Sequence, residues 1–345
     1  MPTIALFLPN WIGDVVMATP AMRAVHHSFP SHRLIAVGRS YVRDVVTGLP
    51  YLGRFIPFDR RGFVDSWQTL KAERPSSAIL FPNSFRVAAM AKAAGCRSIV
   101  GMGRYGRDFL LTKRLYAPRD RNGEFRPVPV IHEYNRIAIA FGASDPGYRM
   151  ELAVTPRDEA QTDVFWSRKG LNRYRMVIGI NPGGAYGSSK HWPTSSFAEV
   201  ARHLATFSST AVLVLCGPQE REEARRIVGQ ANHPSVLSLA DESLSLGLTK
   251  SVIRRLALLV TTDSGPRHMA TALGVPTTTL FGPTHIGWTE TYSALDRNIQ
   301  LSLPCGPCQQ RACPVGHHRC MTELTPDSVL NVIQPLLARD ARHAA

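Results

Sequence analysis

No stretch of this chain is long and apolar enough to cross a membrane. Among its 345 residues, no run approaches the roughly 18 consecutive apolar residues that a spanning helix needs. The apolar opening Ile4-Ala5-Leu6-Phe7-Leu8 is short for a secretory leader and has no basic residue before it. Both absences predict a cytoplasmic protein. A P-loop pattern, a zinc-finger spacing and an RRM signature are missing as well, so nucleic acid is not an expected partner. No short internal repeat marks a solenoid. Acidic residues are scarce: 26 Asp and Glu face 40 Lys and Arg, for a formal net charge of +14. That imbalance calls for an acidic partner, and a phosphorylated substrate at an anionic membrane face fits best. Cysteine is also sparse, with six residues. Cys96 and Cys216 stand alone, as buried small apolar residues do. The other four crowd between residues 305 and 320.

What is present is alternation. Apolar runs of strand length alternate with helical patterns from Thr3 to about Gly101, the mark of a parallel doubly wound domain. Within the first helical pattern Pro20 predicts a kink, or a restart with Thr19 as cap. Residues 102–130 break the rhythm with Arg, Gly and Pro. They read as a long loop with room for a short hairpin, and loops of that length usually carry function. The alternation restarts at Met176. Together with the chain length, this predicts two domains. The first spans 1–156. The second spans 157–325 with a Cys-rich insert at 305–320, and a C-terminal helix and tail occupy 326–345. Thr194 or Ser195 is placed to cap the helix after the Gly-rich loop, and Thr325 with Pro326 to open the last helix.

The stretch from Leu256 to Pro283 organises the second half. It reads as strand, sharp turn, helix and strand, with Asp263-Ser264-Gly265 at the turn, Pro266 opening the helix and Gly274 closing it. Small residues are thus delivered to a helix N-terminus, where unpaired N–H groups and the helix dipole favour an anion. Turn chemistry alone leaves open whether Asp263 and Ser264 hold phosphate or merely cap the helix.

Asp263-Ser264-Gly265-Pro266-Arg267-His268, followed by Met-Ala-x-Ala-Leu-Gly-Val-Pro, resembles the C-terminal signature of the ADP-heptose:lipopolysaccharide heptosyltransferases, glycosyltransferase family nine. Gly13-Asp14-Val15 with Thr19-Pro20-Ala21 is similar to that family's N-terminal signature. So is Lys190 before His191-Trp192-Pro193. The resemblance runs from residue 4 to about 290. It implies a GT-B architecture: two Rossmann-like domains facing a cleft, with the C-terminal helix crossing back. It further implies an inverting transfer of L-glycero-D-manno-heptose from ADP-heptose to the lipopolysaccharide inner core. In that family the loop at Asp263, Ser264, Gly265 and His268 holds the donor diphosphate, Lys190 contacts its phosphates, and an aspartate at the place of Asp14 is the base. Rival expectations are another nucleotide-sugar transferase of the same fold and a non-catalytic nucleotide-sugar or metal-binding module.

The residues themselves leave alternatives open. Asp14 ends the first strand, where a carboxylate serves either as general base or as helix cap. Lys190 follows a Gly-rich loop, Asn181-Pro182-Gly183-Gly184-Ala185-Tyr186-Gly187, that suits either phosphate binding or a bare surface turn. The resemblance implies that Glu220, or Glu222 or Glu223 in its place, holds the nucleotide ribose; the residues alone equally suit a solvated helix start favoured by the dipole. His268, one helical turn in, is either a ligand of the diphosphate or a core histidine. Arg60, Arg61, Arg104 and Arg107 of the first domain are the expected contacts for an acidic acceptor. No Asp-x-Asp triplet occurs, so no catalytic metal ion is expected. Loop amides, helix dipole and Lys190 are expected to stabilise the leaving diphosphate instead.

The cysteines at 305–320 follow C-x2-C-x4-C-x6-C, with His317 and His318 among them. Disulfides are disfavoured in cytoplasm, so Cys305, Cys308, Cys313 and Cys320 suggest a structural zinc site. Uncommitted thiols and an iron–sulfur cluster are the alternatives. The expected role of the insert is to pin the loop before the last helix.

Overall fold

The computed structural model describes residues 1–119, 121–123, 128–184 and 186–343. Ala185 of the Gly-rich loop, residues 124–127 of the long loop (Arg126 of its basic cluster among them) and the last two residues of the tail lie outside the described residues. Contacts divide the chain into two units. One comprises Met1–Ala153 together with Gly287–Tyr292, and the other Val154–Ile286 together with the chain from Ser293 onward.

The first unit holds a six-stranded sheet of β1 (Thr3–Phe7), β2 (Arg33–Gly38), β3 (Leu52–Pro57), β4 (Pro75–Leu80), β5 (Ser98–Met102) and β6 (Lys113–Leu115). All pairings are parallel, in the order β3-β2-β1-β4-β5-β6. The central strand β1 pairs Ala5 with Ile35 on one side and with Ala78 on the other, and is buried along its whole length. That is why its sequence is continuously apolar rather than alternating. Strand order reverses between β1 and β4, so the ends of these strands open a crevice.

The second unit repeats the winding with β7 (Met176–Asn181), β8 (Thr210–Val214), β9 (Val236–Ser238), β10 (Leu258–Thr262), β11 (Thr277–Phe281) and β12 (Asp296–Gln300). Their order is β12-β11-β10-β7-β8-β9, again all parallel. The reversal here lies between β7 and β10. Those two strands carry the Gly-rich loop and the Asp263 loop.

Local chemistry explains most boundaries and corrects a few. The organising strand starts at Leu258 rather than Leu256 and runs on through Thr261 and Thr262, because both threonines are buried and hydrogen-bonded inside the loop system. Near Pro20 the helix restarts: Ile12–Met17 ends, and Thr19–Ser28 begins with Ala18 as its cap residue. Thr19 does not cap it; its hydroxyl donates back to the Val16 carbonyl at 2.7 Å. Pro193, not Thr194 or Ser195, precedes helix Thr194–Ala205. Thr155 and Asp158 form a reciprocal capping box that opens helix Pro156–Arg168 at the start of the second unit. Residues 102–130 contain no described hairpin. Lys113–Leu115 instead extends the sheet as a parallel edge strand on β5. The last helix runs from Pro326 to His343, beyond the expected end near Arg339, and its Ser328 N–H is held by Thr325 Oγ1 at 3.3 Å. It packs on helix Thr194–Ala205 and on β11, both in its own unit.

Arg107 is the main correction in the first unit. It was expected to meet an acceptor, yet its side chain is fully buried. The guanidinium donates to the carbonyls of Met102 (3.0 Å), Pro82 (2.6 Å) and Ser84 (3.2 Å) and to Asn83 Oδ1 (3.1 Å). Burial pulls its pKa down to about 10, which still leaves the charge in place at neutral pH. Arg107 therefore fixes the loop Pro82-Asn83-Ser84 at the end of β4. A lone arginine in a basic loop gives no sequence sign of that inward turn.

Candidate functional site

In the second unit two loops meet at the strand-order reversal. Thr262 Oγ1 donates to the Gly183 carbonyl at 2.9 Å, and Asn181 Nδ2 reaches Gly183 O, Thr261 Oγ1 and Ser264 Oγ, each at 3.1 Å. Helix Gly265–Ala272 starts here with Ser264 as its cap residue. The Ser264 side chain makes no cap bond to the helix, so the first-turn amides are not closed off by it. A Cβ built at Gly184 would lie in ordinary contact with Thr262 Oγ1 (3.6 Å) and Ser264 Cβ (3.8 Å), which shows how closely the two loops lie side by side.

Lys190 and Asp263 join these loops. Lys190 Nζ donates to Asp263 Oδ2 at 2.6 Å and to the Asp263 carbonyl at 2.9 Å, and it stands 4.7 Å from the centre of the Tyr186 ring. Thr284 Oγ1 donates to the same Oδ2 at 2.9 Å, and Arg267 Nη1 lies 3.4 Å from Oδ1. Both members of the pair are buried. Burial opposes the Asp263 charge, but the cations of Lys190 and Arg267 outweigh it and hold the carboxyl well below its ordinary range. Arg267 is itself fully buried, bound to Asp296 Oδ2 (2.7 Å) and Asn298 Oδ1 (3.2 Å). His268 is buried, and burial together with the Arg267 charge pushes it down to about 3, so it is neutral. Its Nδ1 has no hydrogen-bond partner among the described residues.

Among the three candidate glutamates, Glu220 sits at this loop system. Its Oε2 accepts the Gly217 N–H at 2.7 Å, and any Cβ on Gly183 would strike its carboxylate. Glu222 is turned to Arg225, and Glu223 to Thr194 and Arg226.

The Cys-rich segment braces the Gly-rich loop directly. Tyr186 Oη donates to Gln309 O (2.6 Å), Ser189 Oγ to Gln310 O (2.6 Å), and Ser189 N–H to Arg311 O (3.1 Å). His318 Nε2 lies 2.8 Å from the Ser189 carbonyl. Gly187 has φ +155, and a Cβ there would run into the Arg311 carbonyl. The segment thus holds the loop that carries Lys190, a role that spacing alone did not suggest. Its four cysteines are free thiols. The Cys313 sulfur accepts the His318 N–H at 3.3 Å. Burial, then the neighbouring thiols of Cys308, Cys313 and Cys305, raise the Cys320 pKa. Among the described residues, no three His, Cys, Asp or Glu side chains converge as a metal site requires.

In the first unit Asp14 lies in the first turn of helix Ile12–Met17, half-buried, with Trp11 as cap residue. It accepts a hydrogen bond from Tyr134, a buried residue of helix Val130–Phe141. Burial, the Asp14 charge and this bond keep the phenol protonated well above its ordinary range. Sequence reasoning missed Tyr134, which occupies an apolar position in a helical pattern and looks like core. It also missed Thr284, a single hydroxyl beyond Gly282-Pro283. Of the expected acceptor residues, Arg60 and Arg61 are exposed after β3, and Arg104 lies 3.8 Å from Glu133. Arg107 is not at the surface.

The Lys190–Asp263 pair generates a stability prediction. Asp263→Asn strands a buried ammonium and is expected to destabilise the protein by roughly 3–5 kcal/mol. A carboxyl with a depressed folded-state pKa contributes fully above its ordinary value of 3.8 and loses the contribution only as pH falls through the lower folded value. Urea unfolding from pH 7 downward should therefore show the wild-type advantage over Asp263→Asn persisting to pH 4 and narrowing only below it. An advantage that disappears between pH 7 and 5 would contradict the depressed carboxyl.

Comparison with known proteins agrees with this geometry. The chain is 26% identical over 338 residues to lipooligosaccharide heptosyltransferase 2 of Campylobacter jejuni, covering 96% of this chain and 98% of that one. It is 25% identical to lipopolysaccharide heptosyltransferase 2 of Escherichia coli, covering 96% and 97%. The solved structure of E. coli ADP-heptose lps heptosyltransferase II superposes with a TM-score of 0.79 at 24% identity, covering 99% of this chain and 100% of that one. The family 9 glycosyltransferase structure from Veillonella parvula gives 0.83 at 21%, covering 98% and 97%. The family model described as glycosyltransferase family 9 (heptosyltransferase) matches residues 64–318, so this chain, with its paired three-two-one-four-five-six sheets, belongs to that family.

Proposed function

We propose that the chain transfers heptose from ADP-heptose to the inner core of lipopolysaccharide, with inversion at the anomeric carbon. The observation that carries this is the meeting of the Lys190 loop and the Gly265 helix N-terminus at the strand-order reversal of the second unit. Open α/β sheets bind ligands at that point. A diphosphate seated there meets first-turn amides, the helix dipole and one ammonium group. Lysine has three N–H donors, and Asp263 engages two of them. Asp263 on this account positions Lys190 and does not touch the donor. The unpartnered Nδ1 of His268 and the carboxylate of Glu220 border the same loops and suit the phosphate and the ribose.

In the reaction an acceptor hydroxyl oxygen attacks the anomeric carbon from the face opposite ADP. The new C–O bond forms as the bond to the phosphate oxygen breaks. ADP leaves with the electron pair, and Asp14 takes the hydroxyl proton. The Tyr134 hydroxyl, hydrogen-bonded to the Asp14 carboxylate, orients it. No divalent ion is assigned to the diphosphate, because Lys190 and the helix N-terminus supply the positive field. The net charge of +14 suits an acidic acceptor presented at the inner face of an anionic membrane.

The test is an ADP-release assay with ADP-heptose and inner-core acceptor. Wild type is expected to turn over, with a rate unaffected by EDTA during the assay. Asp14→Asn should keep its fold and ADP affinity and lose ~10²-fold or more in kcat. An Asn variant with near wild-type turnover would remove Asp14 from the chemistry.

The cysteines carry a separate proposal. A C-x2-C-x4-C-x6-C set of free thiols has the donor chemistry of a structural zinc site, although the thiols as described do not yet converge. Binding zinc would require the loop to close around the ion. Elemental analysis of protein never exposed to chelator is expected to find about one zinc per chain. Protein containing neither zinc nor iron would reject a metal site.

A further inference from the structure

The first unit has a cleft that none of the residues expected to meet the acceptor lines. It lies at the C-terminal ends of β1, β2, β3 and β4, across the strand-order reversal, with a cavity volume of about 50 Å³. Asn10 borders it after β1, Arg39 after β2, Phe58 after β3, and Pro82 and Ser84 after β4. Arg86 and Val87, from the first turn of helix Phe85–Ala93, complete the wall.

Three independent features give this cleft a positive field. Arg86 is held in place: its guanidinium lies 4.8 Å from the centre of the Phe58 ring and 5.5 Å from that of Phe63, and Nη2 donates to the Asp59 carbonyl at 2.9 Å. Rings stacked on a guanidinium plane leave its edge N–H groups to face a ligand. Arg39 borders the cleft at the end of β2. Its near acidic neighbour, Asp59, is already engaged by the Ser40 N–H and hydroxyl. Helix Phe85–Ala93 begins at the cleft with Ser84 as cap residue, and no side chain caps it. Its first-turn amides therefore add to the field. Beneath them, Arg107 fixes Pro82, Asn83 and Ser84 through three hydrogen bonds. The wall is built on a buried brace, as a site of fixed geometry needs to be.

We infer that this cleft binds an anionic oxyacid group, phosphate or carboxylate, of the acceptor saccharide, with Arg39 and Arg86 as its two charged contacts. The inference rests on the proposed heptosyl transfer for the identity of the acceptor. It assigns acceptor recognition to residues other than Arg60, Arg61 and Arg104. Arginine suits the task because its planar fork matches the oxygens of either group, whereas the exposed Arg60 and Arg61 have no such frame. The cleft thus selects acceptors by their acid groups and leaves the donor loops of the second unit untouched.

Titration calorimetry with deacylated inner-core oligosaccharide as probe tests this without turnover. Wild type should bind the acid-bearing oligosaccharide at least tenfold more tightly than a counterpart that is both dephosphorylated and carboxyl-reduced. Arg39→Ala should lose about tenfold for the acid-bearing probe, and Arg39→Ala with Arg86→Gln about a hundredfold, since charge-assisted bonds of this kind are the stronger class. The counterpart should bind wild type and variants alike, and ADP affinity should not move. Removing only the phosphates or only the carboxylate charges shows which group the cleft reads. Thermal unfolding checks that Arg86→Gln, which loses its ring contacts, stays folded, and Arg39→Ala carries the test if it does not. Unchanged binding in Arg39→Ala, or a wild type that ignores the acid groups, would overturn the inference. Charge-dependent binding without heptosyl transfer would sink the proposed reaction alone. Transfer with an unchanged acceptor KM in Arg39→Ala would sink the cleft alone.

Discussion

The buried contact between Lys190 and Asp263 is the constraint on which the second unit's site depends. It adds to the Thr262–Gly183 and Asn181–Ser264 hydrogen bonds that already join the two loops from adjacent parallel strands. A lysine buried without a partner would lose its charge or drag water in with it. Asp263 prevents this with a side-chain oxygen at 2.6 Å and its own carbonyl at 2.9 Å. Thr284 and Arg267 then occupy the rest of the carboxylate, so the acid does not compete with an incoming phosphate. The result is a fixed cation beside an N-terminal helix turn. From the other side the Cys-rich segment closes on the same loop through Tyr186, Ser189 and Gly187. The loop that carries Lys190 is therefore clamped from both flanks.

The first unit solves a different problem with similar means. Arg107 is fully buried and bonded to three carbonyls and one side-chain amide oxygen. It shapes the turn after β4 without meeting ligand. Tyr134, buried on a neighbouring helix, does the same for Asp14. In the first unit buried polar residues thus set the positions of the loop and the side chain they contact. Such polar contacts specify geometry more than they add stability.

Much of this was legible in the sequence. Continuous apolar runs marked the central strands because they are buried on both faces. The Asp263-Ser264-Gly265 turn was readable because strand, small residues and N-terminal proline occur in order. Edge strands β6 and β12 were missed, since Lys113-Arg114-Leu115 and Asp296–Gln300 are half-exposed and carry polar residues. The inward turn of Arg107 was illegible for another reason. Three of its four partners are backbone carbonyls, and carbonyls have no sequence signature. Glu220 could be separated from Glu222 and Glu223 only once the helix phase was fixed by the Gly217 contact.

Binding of ADP measured by titration calorimetry addresses the central claim most directly, in wild type, Lys190→Ala and Gly265→Val. One variant removes the ammonium, and the other crowds the helix start without changing charge. A charge-assisted contact of roughly 1.5–3 kcal/mol converts to about ten- to a hundredfold in affinity. Both variants should lose that much while remaining folded. ADP affinity unchanged in both would place the donor elsewhere and contradict the assignment of these two loops.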